Sequence, residues 1–221
     1  LPKLWKEGFR GQILGTQATV SLCDIMLRDS AHIQTMEAEW RKKKGKRGVN
    51  EDKFEPLYTM EDALGVIRLL SPYSYDKIYT ICDGVRVRFT DIGHLLGSAS
   101  VELWLTEGRT EKKIVFSGDI GNKDQPLLKD PALTEEADYV VMESTYGDRL
   151  HDKDVGYPVE ELAQILKETF DRGGNVVIPS FAVGRTQVML FYLRQIKQND
   201  MVPEYKNFPV YVDSPLAVDA T

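Results

Sequence analysis

The chain has 221 residues, 42% hydrophobic and 28% charged, which is the composition of an ordinary globular protein with enough residues for a large core. Its formal net charge of −6 at pH 7 argues against indiscriminate nucleic-acid binding, and since no apolar run approaches the length of a bilayer span, no membrane association is expected. The two cysteines, Cys23 and Cys82, form no CxxC pair, so neither a zinc knuckle nor a disulfide framework is predicted, and a reducing cytoplasm is the expected compartment.

The first elements predicted along the chain are a strand and two helices. A short strand over residues 11–14 precedes a helix over residues 16–27, and a second helix begins at Asp29 and runs into the basic segment 41–47. Six of the seven residues in that segment are cationic. We interpret it as a solvated loop rather than as an arm that contacts phosphates.

Capping and turn signals mark the elements that follow. Thr59 and Asp62 resemble a capping box, which predicts a helix over residues 60–70. Asp83 and Gly84 separate two segments of alternating hydrophobicity and predict a β-hairpin. The predicted strands of this region cover residues 77–81, 85–90, 101–106, 113–116 and 139–142.

The most informative stretch, residues 91–121, places a histidine and an aspartate next to predicted strands. His94 lies in a glycine-flanked loop, and Asp119 follows a short apolar strand. Imidazole and carboxylate groups are both good zinc ligands, and Gly118 and Gly121 allow sharp turns and a close approach. On spacing alone, however, a hydrogen-bonded histidine and a capping aspartate are the commoner roles.

Beyond residue 143 helical and strand patterns alternate. Helices are predicted over residues 158–172 and 185–198 and from Ser214 onward, with short buried strands over residues 175–179 and 209–212. This alternation predicts an α/β domain that differs from the sheet and helices before it, with a boundary near residue 150.

Several motifs occur together in an order that resembles one protein family. The principal ones are GHLLGSAS at 93–100, FSGDIG at 116–121 and VVMESTYGDR at 140–149, with further matches at 29–34, 56–59, 178–187 and 212–218. They resemble the β-CASP group of RNA nucleases, which have a metallo-β-lactamase fold. The resemblance implies a partial metallo-β-lactamase-type αββα sandwich over residues 1–149, followed by part of a β-CASP α/β domain with parallel strands over residues 150–221.

The same resemblance implies a zinc-dependent ribonuclease with RNA as its partner. In the family an HxHxDH motif, which this sequence lacks, supplies most ligands of a two-zinc centre; His94 matches the next ligand and Asp119 the aspartate that bridges both metals. A hydroxide activated by the zincs would attack the phosphodiester, and Glu143 matches an acid that tunes a histidine to protonate the leaving oxygen. His151 is a further candidate at the edge of the site, although a local hydrogen bond is the simpler role.

The chain is too poor in histidine to complete such a centre. It contains three, His32, His94 and His151, whereas two metals with four or five ligands each need several converging imidazoles and carboxylates. Zinc binding by this piece alone is therefore expected to be weak or absent. The ends of the sequence also suggest that it belongs to a longer protein.

A second group of residues is expected to contact the RNA backbone. Ser180, Arg185 and Thr186 lie at a predicted junction between a strand and a helix, and the N-terminus of a helix with such donors suits a phosphate. Ordinary capping with a surface arginine is the alternative.

Two other functions stay open on the sequence. A catalytically silent relative that binds RNA or a partner complex as a scaffold would keep the fold and lose ligands, but His94, Asp119 and Glu143 are retained. A metal-dependent hydrolase of small esters or thioesters would not need the α/β extension after Glu143. The cleavage mode, the RNA target, activity on DNA and self-association are not determined by the sequence.

Overall fold

The computed structural model describes residues 1–44, 55–150 and 158–221. These residues form two compact units, of which the first comprises Leu1–Lys123 with Lys129–Met142 and the second comprises Asp124–Leu128 with Glu143–Thr221. The assignment of either unit to a particular domain stays a prediction.

The described part of the first unit contains helices and two sheets. Its elements are α1 (Pro2–Lys6), β1 (Ile13–Thr16), α2 (Gln17–Lys44), α3 (Met60–Ile67), β2 (Leu70–Tyr73), β3 (Tyr79–Cys82), β4 (Val85–Asp91), β5 (Ala99–Glu107), β6 (Thr110–Phe116) and β7 (Tyr139–Val141). β1 and β2 pair in parallel, and the larger sheet has the order β3-β4-β5-β6-β7. Its pairs are antiparallel except for β6 with β7, which is parallel. The predicted mixed α/β class is confirmed, while the αββα sandwich stays a prediction.

The predicted helix cap and hairpin are both present. The Thr59 hydroxyl accepts from the Asp62 amide at 3.3 Å, and the Asp62 carboxylate accepts from the Thr59 amide at 2.9 Å. Asp83 and Gly84 connect β3 to β4, and Gly84 has a φ of 76°. The predicted capping box and hairpin are therefore confirmed. The helix α3 ends at Ile67, three residues before the predicted end.

α2 is one continuous helix of 28 residues, and the prediction of two helices in this region is wrong. The predicted break fell just before Asp29. Ala31 in the next turn is completely buried, and the Ser30 hydroxyl bonds to the Tyr58 hydroxyl at 2.6 Å, so tertiary contacts hold the helix through residues of modest helix propensity. The first four residues of the basic segment 41–47 are helical, and the others lie outside the described residues.

The central strands of the larger sheet enclose a charged cluster. Glu102 on β5 is completely buried. Its carboxylate accepts hydrogen bonds from Arg88 at 2.8 Å and Thr90 at 2.6 Å, and it forms an ion pair with Lys113 at 2.6 Å. Burial alone raises the pKa of Glu102, but the hydrogen bonds from Arg88, Lys113 and Thr90 outweigh it and lower that pKa to about 2.

The second unit is built from helices around a small apolar core. Its described α-helices are α4 (Pro158–Asp171), α5 (Arg185–Gln198) and α6 (Pro215–Asp219), and a short 3-10 helix covers Pro203–Tyr205. Its core comprises Ala163, Leu166, Leu193, Ile196 and Val202. Gly173 ends the first of these helices with a φ of 70°, and the Ser214 hydroxyl caps the last by accepting from the Ala217 amide at 3.2 Å. Both ends were predicted from the sequence.

The parallel strands predicted for the second unit are wrong. Among its described residues there is no strand, over 175–179, over 209–212 or elsewhere. Val177 and Tyr211, which the pattern placed in buried strands, are 86% and 85% exposed. A strand requires a hydrogen-bonded neighbour as well as an apolar pattern, and the described residues provide none here.

Within the described ranges, no helix combines the length and the apolar character that crossing a bilayer requires.

Candidate functional site

His94 and Asp119 meet at one edge of the larger sheet. His94 lies in the loop between β4 and β5, and Asp119 lies just beyond β6. The distance from His94 Nε2 to Asp119 Oδ2 is 3.9 Å, and the two side chains are 41% and 70% exposed. The pair is too far apart for a hydrogen bond and open to solvent.

The loop that carries His94 is fixed by hydrogen bonds to its own residues. The Gly93 amide donates to the Asp91 carboxylate at 3.0 Å. The amides of His94 and Leu95 both donate to the Ser98 hydroxyl at 3.1 Å. The backbone on both sides of the imidazole is therefore held in place by side chains of the same loop.

The loops of His94 and Asp119 touch through their backbones. The Gly121 amide donates to the Ile92 carbonyl at 2.9 Å. A Cβ atom added at Gly121 would overlap the Gly93 carbonyl and lie 2.6 Å from the His94 amide nitrogen. Gly118, with a φ of 62°, makes the turn that leads to this contact. The predicted need for glycine at both positions is confirmed.

The far side of the His94 loop is attached to the start of α2. The hydroxyls of Thr16 and Thr19 donate to the Gly97 carbonyl at 2.7 Å and 2.8 Å. A Cβ atom at Gly97 would lie 2.7 Å from the Thr19 amide nitrogen, and Gly97 has a φ of 94°, so this contact also depends on glycine. Sequence reasoning missed it, because nothing in the spacing relates residues so far apart.

Tyr75 is another neighbour of the loop that sequence reasoning did not identify. Its hydroxyl donates to the Ser98 carbonyl at 2.9 Å. Burial raises the pKa of Tyr75, and the nearby Asp91 carboxylate raises it further, so the hydroxyl keeps its proton and remains a donor. Ser98 lies in the GHLLGSAS motif, but the motif did not indicate what its side chain and its carbonyl bind.

The donor types at this edge fit zinc, but their number does not complete a site. Two atoms bound to one tetrahedral zinc ion at about 2.1 Å lie about 3.4 Å apart, and the observed separation of 3.9 Å is about half an ångström longer. A tetrahedral zinc ion takes four ligands. The part of the chain that the structure describes contains no group of three or more histidine, cysteine or acidic side chains that could hold a metal ion.

The other residues predicted for the reaction lie elsewhere in the sequence. Glu143 follows the end of β7 by two residues, is half-buried and belongs to the second unit. His151 lies outside the described residues. The roles suggested for both stay predictions.

The predicted phosphate-contacting residues lie at the start of α5. Ser180 and Arg185 line a cavity of about 540 Å³ in the second unit, and Arg185, the first residue of the helix, is exposed. Thr186 donates its hydroxyl to the Phe181 carbonyl at 2.8 Å, and its amide donates to the same oxygen at 3.3 Å. Ser180 and Arg185 can meet a ligand, whereas the donors of Thr186 already have a partner.

Comparison with known proteins assigns the chain to a family, although no family model matches it. Ribonuclease TTHA0252 of Thermus thermophilus is 36% identical over 217 residues, which are 98% of this chain and 43% of that protein. The transcription termination factor FttA of Methanocaldococcus jannaschii is 30% identical over 218 residues, 96% of this chain and 31% of that protein. An RNase J-like protein of the same organism is 33% identical over 165 residues, 72% of this chain and 37% of that protein. The chain belongs to the β-CASP metallo-β-lactamase family.

The resemblance read from the motifs is thus confirmed. The chain spans less than half the length of each of these β-CASP relatives. Two of the three are named as ribonucleases or ribonuclease-like, and the third is named for the termination of transcription.

Proposed function

We propose that the protein is a zinc-dependent ribonuclease, in which His94 and Asp119 are metal ligands. The observation that carries the proposal is the 3.9 Å separation of their side chains at an exposed sheet edge. The similarity to ribonuclease TTHA0252 supports RNA as the substrate. On this proposal the first unit is part of a metallo-β-lactamase sandwich and the second is part of a β-CASP domain, and donors beyond the described residues complete a two-zinc centre.

The surroundings of the pair suit this reaction. When bound, zinc lowers the pKa of a water molecule and polarises a phosphoryl oxygen. The hydrogen-bonded loop fixes the backbone at His94, and Asp119 follows the turn at Gly118 with its side chain 70% exposed. The exposure of both side chains lets a polymer reach them, because a nucleic-acid strand cannot enter a closed cavity. Glu143 is proposed to orient a histidine that protonates the leaving oxygen.

Contact with the RNA backbone is proposed for the start of α5. Arg185 forms no ion pair with another described residue, so its guanidinium is available to a phosphate. The N-terminus of a 14-residue helix adds a favourable dipole at the same place. We assign Ser180 to the same contact. Thr186 instead holds the turn before α5, since both its donors are used by Phe181.

The test replaces each proposed metal ligand in the protein at its full natural length. Asp119→Asn and His94→Gln should lose zinc-dependent cleavage of a labelled RNA, because each removes a ligand without adding bulk. Asp83→Asn, in the turn at the opposite end of β4, should cleave like the natural protein. Circular dichroism checks that all the proteins fold. Undiminished cleavage by a folded Asp119→Asn protein would show that the metal assignment is wrong, and cleavage of a thioester but not of RNA would refute the ribonuclease.

A further inference from the structure

One exposed face of α2 carries large apolar side chains at a regular spacing. The row consists of five apolar residues and one aspartate, separated by alternating steps of four and three residues: Leu22, Met26, Asp29, Ile33, Met36 and Trp40. Met26, Ile33, Met36 and Trp40 are 42%, 46%, 57% and 56% exposed. Single exposed apolar residues are ordinary, but a row with this spacing is the pattern of a helix that pairs with another helix.

Among the described residues of the first unit, the packing of α2 is concentrated on a different face. Its buried residues in the helix are Ala31 and Ala38, and the helix packs against α3, β1 and β2. At 100° per residue these alanines lie on the side of the helix roughly opposite the row. The helix therefore has a small-residue face toward its own unit and a larger apolar face toward solvent.

The charges along α2 indicate what would cover the row. Residues 41–44 are four consecutive cations at its C-terminal end, and Lys44 Nζ lies 3.9 Å from the centre of the Trp40 ring. Asp29 is the acidic member of the row and lies nearer the N-terminal end. Two α2 helices side by side in the same direction would place cations against cations and Asp29 against Asp29. In opposite directions each Asp29 would lie near the basic end of the other helix, so the face is complementary to itself.

We propose that two copies of this chain associate through antiparallel pairing of their α2 helices. The spacing fits a register in which Ile33 lies beside the Met36 of the second copy. Asp29 then lies beside the second copy's Trp40, within one turn of its Lys43 and Lys44, and the contact repeats by twofold symmetry. This inference goes beyond the proposed ribonuclease and does not depend on it.

The association is tested by sedimentation equilibrium of the 221-residue chain. The natural sequence should show a monomer–dimer equilibrium, and the double variant Met36→Glu/Trp40→Glu should be monomeric. Ile78→Glu is the matched control, because Ile78 is 45% exposed in the same unit but lies outside α2; it should dimerise like the natural chain. Both substituted sites are exposed, and circular dichroism verifies the fold. A monomeric natural chain, or a dimer unaffected by the double variant, would overturn the proposal.

A charge reversal tests the direction of the pairing. Asp29→Lys should weaken the dimer by about tenfold or more, since it places a cation beside the basic end of the second helix. Adding Lys43→Asp and Lys44→Asp to that variant should restore it, because the reversed charges again oppose each other. Failure of restoration while all variants remain folded contradicts the antiparallel arrangement. If the natural chain stays monomeric and α2 instead binds vesicles of anionic phospholipid or a labelled RNA, the second copy is the wrong occupant.

Discussion

Replacing Glu102 by glutamine is expected to destabilise the first unit by about 3 kcal/mol. The carboxylate is completely buried and accepts hydrogen bonds from Arg88 at 2.8 Å and from Thr90 at 2.6 Å, with Lys113 at 2.6 Å. Glutamine preserves the shape of the side chain but removes its charge. The side chains of Arg88 and Lys113, only 32% and 16% exposed, would then lack the anion that balances them. Removing one partner of a buried ion pair costs about 3 to 5 kcal/mol. We take the lower end of that range because the Arg88 side chain is partly solvated.

The lowered pKa of Glu102 provides a second estimate of the same contribution. The pKa of Glu102 is lowered from 4.5 to about 2 in the folded protein. A carboxyl group with a lowered folded-state pKa stabilises the fold fully above its unfolded pKa, and this stabilisation is lost as the pH falls toward the folded value. The difference between the two values corresponds to about 3 kcal/mol. Because Glu102→Gln has no carboxyl group to protonate at this position, its stability should fall less than that of the natural protein between about pH 4.5 and pH 2.

Urea denaturation followed by tryptophan fluorescence measures both effects. The three tryptophans, Trp5, Trp40 and Trp104, all belong to the first unit, so the signal reports on the unit that contains Glu102. Glu111→Gln is the matched control, because Glu111 pairs with Arg86 at 2.7 Å on exposed side chains, and it should cost much less. If Glu102→Gln costs no more than Glu111→Gln, or if it loses stability in acid as steeply as the natural protein, the Glu102 carboxylate does not make this contribution.

Three further predictions concern the His94 loop, the cap of α3 and the start of α5. Gly121→Ala should destabilise the first unit by about 2 kcal/mol, because the new Cβ meets the backbone of the His94 loop. Gly15→Ala is its control in the same urea assay, since a Cβ there would meet only ordinary contacts at 3.6 Å. Equal effects of the two substitutions would contradict the prediction. Thr59→Ala should cost about 1 kcal/mol through loss of the capping box, and an unchanged urea midpoint would count against it. Arg185→Gln should weaken binding of single-stranded RNA in a filter-binding assay, while Arg194→Gln, exposed on the same helix, should not; equal affinities would exclude the proposed contact.

Those parts of the fold that depend on a few neighbouring residues could be predicted from the sequence. The cap at Thr59 and the hairpin at Asp83 and Gly84 each depend on contacts within the segment that carries the signal. The meeting of His94 and Asp119 follows from the sheet itself. β4 and β6 both run antiparallel to β5, so the ends of β4 and β6 that precede these two residues lie at the same edge.

Those features that depend on distant partners could not be predicted. Successive side chains of a strand point to opposite faces, so the sequence predicts that Glu102 shares a face with Trp104 and Thr106. The burial of Glu102, however, depends on Arg88 and Lys113 from the neighbouring strands. The continuity of α2 likewise depends on tertiary burial rather than on local propensity. In the second unit the apolar segments had the pattern of strands, yet pairing is a property of two segments, and the pattern of one does not determine it.

The attachment of α2 to the His94 loop couples the position of the helix to that of the loop backbone. The Thr16 and Thr19 hydroxyls anchor the first turn of α2 to the Gly97 carbonyl, three residues from His94. The helix has 28 residues and is about 42 Å long, and the burial of Ala31 and Ala38 holds it to its own unit beyond this end as well. A displacement of α2 is therefore expected to move the Gly97 carbonyl and the loop backbone that carries His94. This coupling can be tested by recording the NMR resonances of the His94 ring with the C-terminal end of α2 free and with that end immobilised. Identical spectra would show that the His94 loop does not follow the helix.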